Sequence, residues 1–146
     1  MKRLILLSIL FIVGCATVPM ATLEEDRDAK EFKISNSNSI IYINRVGDGF
    51  GAAIAFQIAI NGKILGSIAP NTYHIIEVEP GEYSISSISN ENSDFVNLNT
   101  LAGNNYYLKV IAQMGIISAR VKISQVSEDV GIKMVNKSKR AKSMNY

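Results

Sequence analysis

Residues 54–69, IAFQIAINGKILGSIA, predict a β-hairpin and with it the fold class of the chain. Large apolar residues alternate with small or polar ones up to residue 60, a period of two that is typical of a strand with one buried face. Asn61-Gly62 follows, and a type I′ turn needs positive φ at both central positions, which favours this dipeptide. Residues 63–69 then form the partner strand.

The same period of two continues on both sides of this hairpin. Pro80-Gly81 predicts a type II turn, which would make 82–89 the partner strand of 72–79. Short strands separated by turns at this spacing predict an all-β fold, an antiparallel β-sandwich of about seven or eight strands. The strands predicted besides the hairpin are 40–46, 72–79, 82–89, 95–101, 106–113 and 117–124.

A short helix is predicted before the strands, over residues 23–32. Thr22 suits the N-cap position, and three of the next four residues are acidic, which the positive end of the helix dipole favours. Residues 17–22 contain Pro19 and no periodic pattern, so they are predicted to be a tether.

A possible short C-terminal helix follows the last strand. Ser127 suits its N-cap, and two acids come directly after it. Gly131 opposes this helix by about 1 kcal/mol relative to alanine. The residues predicted to face inward are Val130, Met134 and Val135.

Composition limits the classes of function. A chain of 146 residues has room for one core, and 47% hydrophobic with 19% charged residues is typical of a globular domain. The formal charge of +2 gives no reason to expect nucleic acid as a partner. One cysteine and one histidine exclude a disulfide framework and most metal sites, so no metal or other cofactor is predicted.

The N-terminal residues predict a lipoprotein signal peptide. Lys2 and Arg3 precede the apolar run 4–13, about half of the roughly 20 residues that a membrane-spanning helix needs. Ile12-Val13-Gly14-Cys15 ends the run and resembles the bacterial lipobox. That resemblance implies cleavage before Cys15 and attachment of a diacylglyceryl group to its sulfur. The alternative is an ordinary signal peptide, but no Ala-x-Ala cleavage site precedes the cysteine.

Cys15 is therefore the predicted lipid attachment site and the predicted contact with the membrane. A thiolate is nucleophilic enough to form the thioether, and two or more acyl chains make anchoring stable. The next residue is Ala16 rather than Asp, which in a cell with two membranes resembles the signal for the outer membrane, facing the periplasm. The predicted organisation is a signal peptide 1–14, a tether and short helix 15–38, the β-sandwich 39–136, and a basic C-terminal tail 137–146.

An ordered series of short motifs spans residues 29–135. Behind a lipobox, this series resembles the bacterial lipoprotein family catalogued as domain of unknown function 2846. The resemblance implies an immunoglobulin-like or transthyretin-like β-sandwich on a lipid anchor. It implies no reaction, because no activity is established for the family, and it transfers no catalytic residue. The motifs include Ile41-Tyr42-Ile43-x-Arg45, Phe50-Gly51-Ala52-Ala53, Asn61-Gly62-Lys63, Pro80-Gly81-x-Tyr83, Gly103-x-x-Tyr106-Tyr107 and Glu128-x-x-Gly131.

Candidate catalytic residues are few. His74 lies mid-strand without a predictable partner for metal binding or hydrolysis, so a structural or surface role is predicted. Glu77 and Glu79 share one strand face, and paired carboxylates can hydrolyse glycosides, but acids at a strand end are more often solubilising charges. The glycine-rich residues 47–51 precede a strand rather than a helix, which favours a flexible loop over a phosphate site.

Two groups of residues are candidates for surface contacts. Tyr106 and Tyr107 point to opposite faces of one strand; one is expected in the core, and Tyr107 is the candidate for stacking on a glycan or a partner. The C-terminal tail carries Lys137, Lys139, Arg140 and Lys142 without an acid, which suits anionic lipid at about 1 kcal/mol per charge. The alternative for the tail is a solvated, frayed terminus.

The leading functional hypothesis is a non-enzymatic bacterial envelope lipoprotein that acts as a binding or scaffolding module. Its partner would be an envelope protein or a cell-wall polymer. The alternative is a small-ligand or glycan-binding envelope protein, and the third hypothesis is a cell-wall hydrolase acting through Glu77 or Glu79. Fold alone does not choose among these functions.

Overall fold

A computed structural model describes residues 17–47 and 49–145. The predicted β-sandwich is confirmed, since the strands of this part of the chain form two sheets, ordered β8-β7-β1-β4-β9 and β3-β2-β5-β6. The predicted signal peptide and Cys15 lie outside the described residues. In chain order the elements are α1 (Leu23–Ala29), β1 (Ser39–Arg45), β2 (Phe56–Ile60), β3 (Lys63–Ile68), β4 (Thr72–Val78), β5 (Gly81–Ile88), β6 (Ser93–Thr100), β7 (Asn105–Met114), β8 (Ala119–Val126), α2 (Glu128–Asn136) and β9 (Lys139–Arg140).

The hairpin of residues 54–69 is confirmed as β2 and β3. Ile60 pairs with Lys63 across a two-residue turn, and Asn61 and Gly62 have φ angles of 48° and 80°. These positive values are those that a type I′ turn requires, and the turn's twist matches that of the flanking strands. The turn therefore sets the register of the two pairs next to it, and a bulge shifts the register between Ile58 and Ala59.

The core lies between the two sheets. It combines aliphatic side chains from both layers, among them Ile43, Ile58 and Leu108, each fully buried. Burial of one such side chain stabilises the fold by about 1.5–3 kcal/mol. The alternation seen in the sequence places these three residues inward on β1, β2 and β7.

The connection at Pro80-Gly81 differs from the predicted hairpin. β4 pairs with β1 and β9, whereas β5 pairs with β2 and β6, so the chain crosses between the sheets. Gly81 is the first residue of β5 and does not have the positive φ of a type II turn. The crossover allows Val78 and Ile85 to enter the same core from opposite layers.

The five-stranded sheet is mixed rather than purely antiparallel. β7 runs parallel to β1, and the short β9 runs parallel to β4. The predicted count of seven or eight strands omits β9, which lies in the predicted basic tail. A sequence of two charged residues gives no strand pattern, so this pairing was not predictable from periodicity.

The helices cover the outer face of the five-stranded sheet. α1 begins after Thr22, whose side chain accepts the Glu25 N–H at 3.2 Å while the Glu25 carboxylate accepts the Thr22 N–H at 2.7 Å. This capping box confirms the predicted start. The helix ends at Ala29, three residues before the predicted end, and Phe32 has a positive φ of 50°.

α2 confirms the predicted C-terminal helix but not the whole of its predicted face. Val135 is buried as expected, whereas Val130 is 39% exposed. Gly131 faces the sheet instead, and a Cβ at this position would overlap the Tyr107 ring. The glycine that opposes the helix by propensity is thus required for its close approach to the sheet.

The C-terminal residues are part of the fold, which rules out the alternative of a solvated, frayed terminus. Ala141 is completely buried, and its N–H donates to the Tyr73 carbonyl at 2.8 Å. The N–H of Met144 donates to the Leu65 carbonyl of β3 at 2.7 Å. This segment covers the open edge of β4, whose backbone groups need partners once they are buried.

Residues 17–22 are also held, although a tether was predicted. Met20 bridges Ala141 in antiparallel fashion, the Ala21 N–H donates to the Arg140 carbonyl at 3.0 Å, and the Lys142 N–H donates to the Pro19 carbonyl at 2.8 Å. The two ends of the described chain therefore run side by side.

Candidate functional site

Tyr107 is not available for stacking on a ligand, which corrects the prediction. Its side chain is 2% exposed and lies under α2. Its ring stacks on Tyr42 with centroids 5.1 Å apart, and Phe32 lies 6.4 Å away. Burial raises the pKa values of the Tyr107, Tyr42 and Tyr73 hydroxyls. The alternation of side chains along β7 predicted that Tyr106 and Tyr107 lie on opposite faces. It did not predict that the helices cover the face with Tyr107.

The basic residues of the C-terminal segment differ in exposure. Lys137, Lys139 and Lys142 are exposed, whereas Arg140 is partly buried and donates to the Glu25 carbonyl at 3.2 Å. The Arg140 backbone N–H also donates to the Asp26 carboxylate at 2.9 Å. Three of the four predicted contact residues are thus accessible, and Arg140 helps to hold α1 against β9.

His74 has a structural role. It is completely buried, Nε2 donates to the Ser67 carbonyl at 2.9 Å, and Nδ1 accepts from the Ser143 hydroxyl at 3.0 Å. The carbonyl can only accept, so the ring carries its proton on Nε2. Burial, the largest cause, lowers the pKa of the imidazole. His74 joins β4, β3 and the C-terminal segment.

The candidate carboxylates Glu77 and Glu79 have different surroundings. One oxygen of Glu77 accepts from the Ser35 hydroxyl and from the Asn38 amide, both at 2.9 Å. Glu77 thus holds the loop before β1. Glu79 lies beyond the end of β4, and its backbone carbonyl accepts from the Tyr83 hydroxyl at 2.9 Å.

Gly51, at the end of the glycine-rich residues, and Ile54 in the loop after them contact a buried arginine. Arg45 is 1% exposed, and its guanidinium lies 4.2 Å from the centroid of the Phe56 ring. It donates to the carbonyls of Gly51 at 2.9 Å, of Ile68 at 3.3 Å, and of Ile54. Asp48 lies outside the described residues. Gly51 therefore has a structural contact, and flexibility of the glycine-rich loop stays a prediction.

A polar groove on the outer face of the four-stranded sheet was missed by the sequence predictions. It encloses about 500 Å³ next to the hairpin turn of β2 and β3. On β5 and β6, Ser84 is opposite Asn97 and Glu82 is opposite Asn99, so their side chains share one face. Phe95 continues that face and is 62% exposed. The alternation Phe95-x-Asn97-x-Asn99 is the sequence signal that could have found it.

The groove offers hydrogen-bonding groups and one carboxylate, that of Glu82. Its amides and hydroxyl both donate and accept, and a phenyl ring lies at one side. Among residues 17–47 and 49–145, no three histidine, cysteine, aspartate or glutamate side chains are placed to hold a metal ion.

Neither described helix has the length and apolar character needed to span a bilayer.

Comparison with known proteins identifies the family. Residues 35–122, which include β1 to β7 and half of β8, match the family described as Protein of unknown function (DUF2846). This chain belongs to that family. The resemblance drawn from the ordered motifs is confirmed for the domain, and the family's description assigns no activity to it.

A relative with a long alignment comes from Haemophilus influenzae. It is 35% identical over 130 residues, which cover 88% of this chain and 76% of the relative, and its name is Uncharacterized protein. The alignment is longer than the family match of residues 35–122, so it includes sequence outside the matched sandwich strands.

Proposed function

We propose that the protein is a lipid-anchored, non-enzymatic binding module of the bacterial envelope. The observation that carries the proposal is the position of the chain entry. Residues 19–21 are hydrogen-bonded into the fold only a few residues after the lipobox cysteine, Cys15. An anchored Cys15 would therefore hold the sandwich next to the membrane rather than on a long tether.

The non-enzymatic part of the proposal is supported by the residues that could otherwise do chemistry. Both ring nitrogens of His74 are used within the fold. Glu77 holds a loop through two hydrogen bonds. The accessible groove offers amides, hydroxyls and one carboxylate, Glu82, whereas glycoside hydrolysis uses a pair of carboxylates.

The anchor is tested by membrane fractionation of cells that express Cys15→Ser. A hydroxyl cannot receive the diacylglyceryl group, so we expect the variant to leave the membrane fraction after a high-salt wash. Ala16→Ser is the matched control, because it changes the adjacent residue and keeps the thiol; it should stay with the membrane. Salt-resistant membrane retention of Cys15→Ser protein from which the apolar run 4–13 has been removed would overturn the proposal.

A second candidate function, glycan binding, is favoured by the groove on β5 and β6. Asn97 and Asn99 place two amides beside Ser84 on one exposed face, with Phe95 next to them. A neutral polysaccharide offers hydroxyls for the amides and an apolar ring face for a phenyl group. This surface takes the place of Tyr107, which is buried.

Glycan binding is tested by titrating the protein with soluble cell-wall fragments and neutral oligosaccharides. Asn97→Ala combined with Phe95→Ala should abolish any binding seen with the wild type. Gln125→Ala changes an exposed residue of β8 and serves as the control, so it should bind normally. Equal binding by wild type and the groove variant would exclude this surface.

A further inference from the structure

One end of the sandwich collects features that the proposed function does not use. β1 ends there at Arg45, which pairs with Thr72 at the start of β4 and with Val110 of β7. Lys139 of β9 pairs with Thr72 at the same level. We call this the basal end, formed by loops 46–55, 69–71, 89–92 and 115–118.

An apolar tip projects from the basal end. β7 continues four residues beyond Val110 and remains paired with β8 as far as Met114 and Ala119. At about 3.3 Å per residue, Met114 lies roughly 13 Å beyond the end of β1. Met114 is 80% exposed, Ile116 95% and Ile117 94%. Adjacent apolar side chains with this exposure mark an interaction surface.

The tip is held in one conformation by Glu91. Its carboxylate accepts the N–H of Ile116 at 2.9 Å and also those of Ile117 and Ser118. These backbone donors lower the pKa of Glu91, so its carboxylate is charged at neutral pH. A Cβ at Gly115 would overlap the Ser118 carbonyl and the Glu91 carboxylate. Both isoleucines are therefore presented by a fixed loop.

Charge is distributed unequally between the two ends. Lys137 and Lys139 line a cleft at the basal end, next to Pro70 and Asn71. Lys133 lines the neighbouring cleft with Gly47. The opposite end, where β4 ends and β5 begins, carries three acids, Glu77, Glu79 and Glu82. The basal end carries one acid in loop 89–92, Glu91, beside the three lysines just named. A negatively charged surface would therefore attract the basal end and repel the opposite one.

The chain enters the fold at this same end. Thr17 and Val18 line the cleft that contains Lys137 and Lys139. Thr17 is two residues after Cys15, and two residues span at most about 7 Å. A lipid on Cys15 would therefore bring this cleft to the membrane surface.

We propose that the basal end is a membrane-docking surface for anionic phospholipid. Ile116 and Ile117 enter the interfacial region of the bilayer, and Lys137 and Lys139 contact the headgroup phosphates. The proposal deepens the proposed function and takes its orientation from the anchor on Cys15. The docking contacts themselves do not need the lipid, so each part can be tested separately.

The test uses the mature chain, residues 15–146 with Cys15→Ser, and vesicles of phosphatidylethanolamine with phosphatidylglycerol. We expect salt-sensitive cosedimentation that is absent with phosphatidylcholine alone. Ile116→Ser combined with Ile117→Ser should weaken it by roughly tenfold or more. Lys137→Gln with Lys139→Gln should weaken it by about thirtyfold and reduce its salt dependence.

Leu101→Ser is the matched control, because Leu101 is 61% exposed and follows β6 at the opposite end. It should bind vesicles as the wild type does, and thermal melting should show that every variant folds. Absence of wild-type binding, or equal losses in Leu101→Ser and the isoleucine variant, would overturn the proposal. The proposal would also be overturned if the wild type is an oligomer that does not bind vesicles and if Ile116→Ser with Ile117→Ser makes it monomeric. The tip would then be an interface between protein chains. If the unlipidated protein fails to bind vesicles, the docking proposal fails, and lipidation of Cys15 is still decided separately by the fractionation experiment.

Discussion

Gly131 shows that a single residue can be required by packing and opposed by propensity. An alanine in a helix interior is favoured over glycine by about 1 kcal/mol. At this position, however, the added Cβ would overlap the buried Tyr107 ring. Overpacking of a core typically costs about 1–3 kcal/mol, so the steric effect should exceed the gain in propensity.

We therefore expect Gly131→Ala to lower the free energy of unfolding by about 1 kcal/mol or more, measured by urea denaturation. In a Tyr107→Ala background the ring is absent, and the same substitution should be neutral or stabilising. Stabilisation by Gly131→Ala in the wild-type chain would show that α2 does not pack so closely on Tyr107.

His74 makes stability depend on pH. Burial lowers the pKa of the folded imidazole below its ordinary value of 6.5, and the nearby charge of Arg140 acts in the same direction. As the pH falls, the imidazole of His74 is therefore protonated in the unfolded chain before it is protonated in the folded one. The free energy of unfolding is highest above pH 6.5 with respect to this group, and it decreases as the pH falls toward the pKa of His74 in the folded state.

We expect the thermal midpoint to decrease as the pH falls from 6.5, before the carboxylates titrate. His74→Gln can donate to the Ser67 carbonyl and accept from the Ser143 hydroxyl without titrating. It should keep the fold and lose the pH dependence in this window. An unchanged pH profile in His74→Gln would exclude His74 as the cause.

Among the elements, the C-terminal segment contributes to stability although its sequence predicted a solvated tail. Ala141 is completely buried next to β9, and its flanking lysine, Lys142, is exposed. A charge at the buried position would need desolvation without a partner, which costs several kcal/mol.

Ala141→Asp should therefore unfold the domain or lower its free energy of unfolding by about 3 kcal/mol or more, measured by chemical denaturation. Lys142→Asp also introduces an acid, one residue further on, and should have a much smaller effect at its exposed position. Similar effects of the two substitutions would mean that the C-terminal segment is not packed against β4.

At the same scale, local pattern explains which elements could be predicted. The β2–β3 hairpin follows from Asn61-Gly62, because the turn fixes both conformation and register within a few residues. The crossover at Pro80-Gly81 could not be predicted, because two strands show the same alternation whether they pair or lie in different sheets. β9 is only two residues long and shows no alternation of apolar and polar residues. It is a strand because it pairs with β4.

The candidate surfaces were predictable to different degrees for the same reason. Exposure of Lys137 and Lys139 follows from their charge, whereas burial of Tyr107 depends on α1 and α2 covering one face of the sheet. The groove at Asn97 and Asn99 needs the neighbouring β5, which the sequence alone had paired with β4.

The whole molecule combines a sandwich of the DUF2846 family with a basal end where chain entry, basic residues and an apolar tip come together. The tip would add little without an anchor, because partial burial of two or three side chains gives weak, reversible binding. A lipid on Cys15 would make the attachment stable and orient the groove of β5 and β6 away from the bilayer surface. Anchoring at Cys15 is therefore the central claim.

The most direct test of this claim is the intact mass of the wild-type protein extracted from the membranes of a lipoprotein-producing bacterium. If Cys15 is the anchor, we expect a chain that begins at Cys15 and carries a diacylglyceryl group. A further acyl group is expected on the α-amine that cleavage exposes at Cys15. Fragmentation should locate the added mass on residue 15. An unmodified Cys15, or a chain that begins at any other residue, would contradict the account.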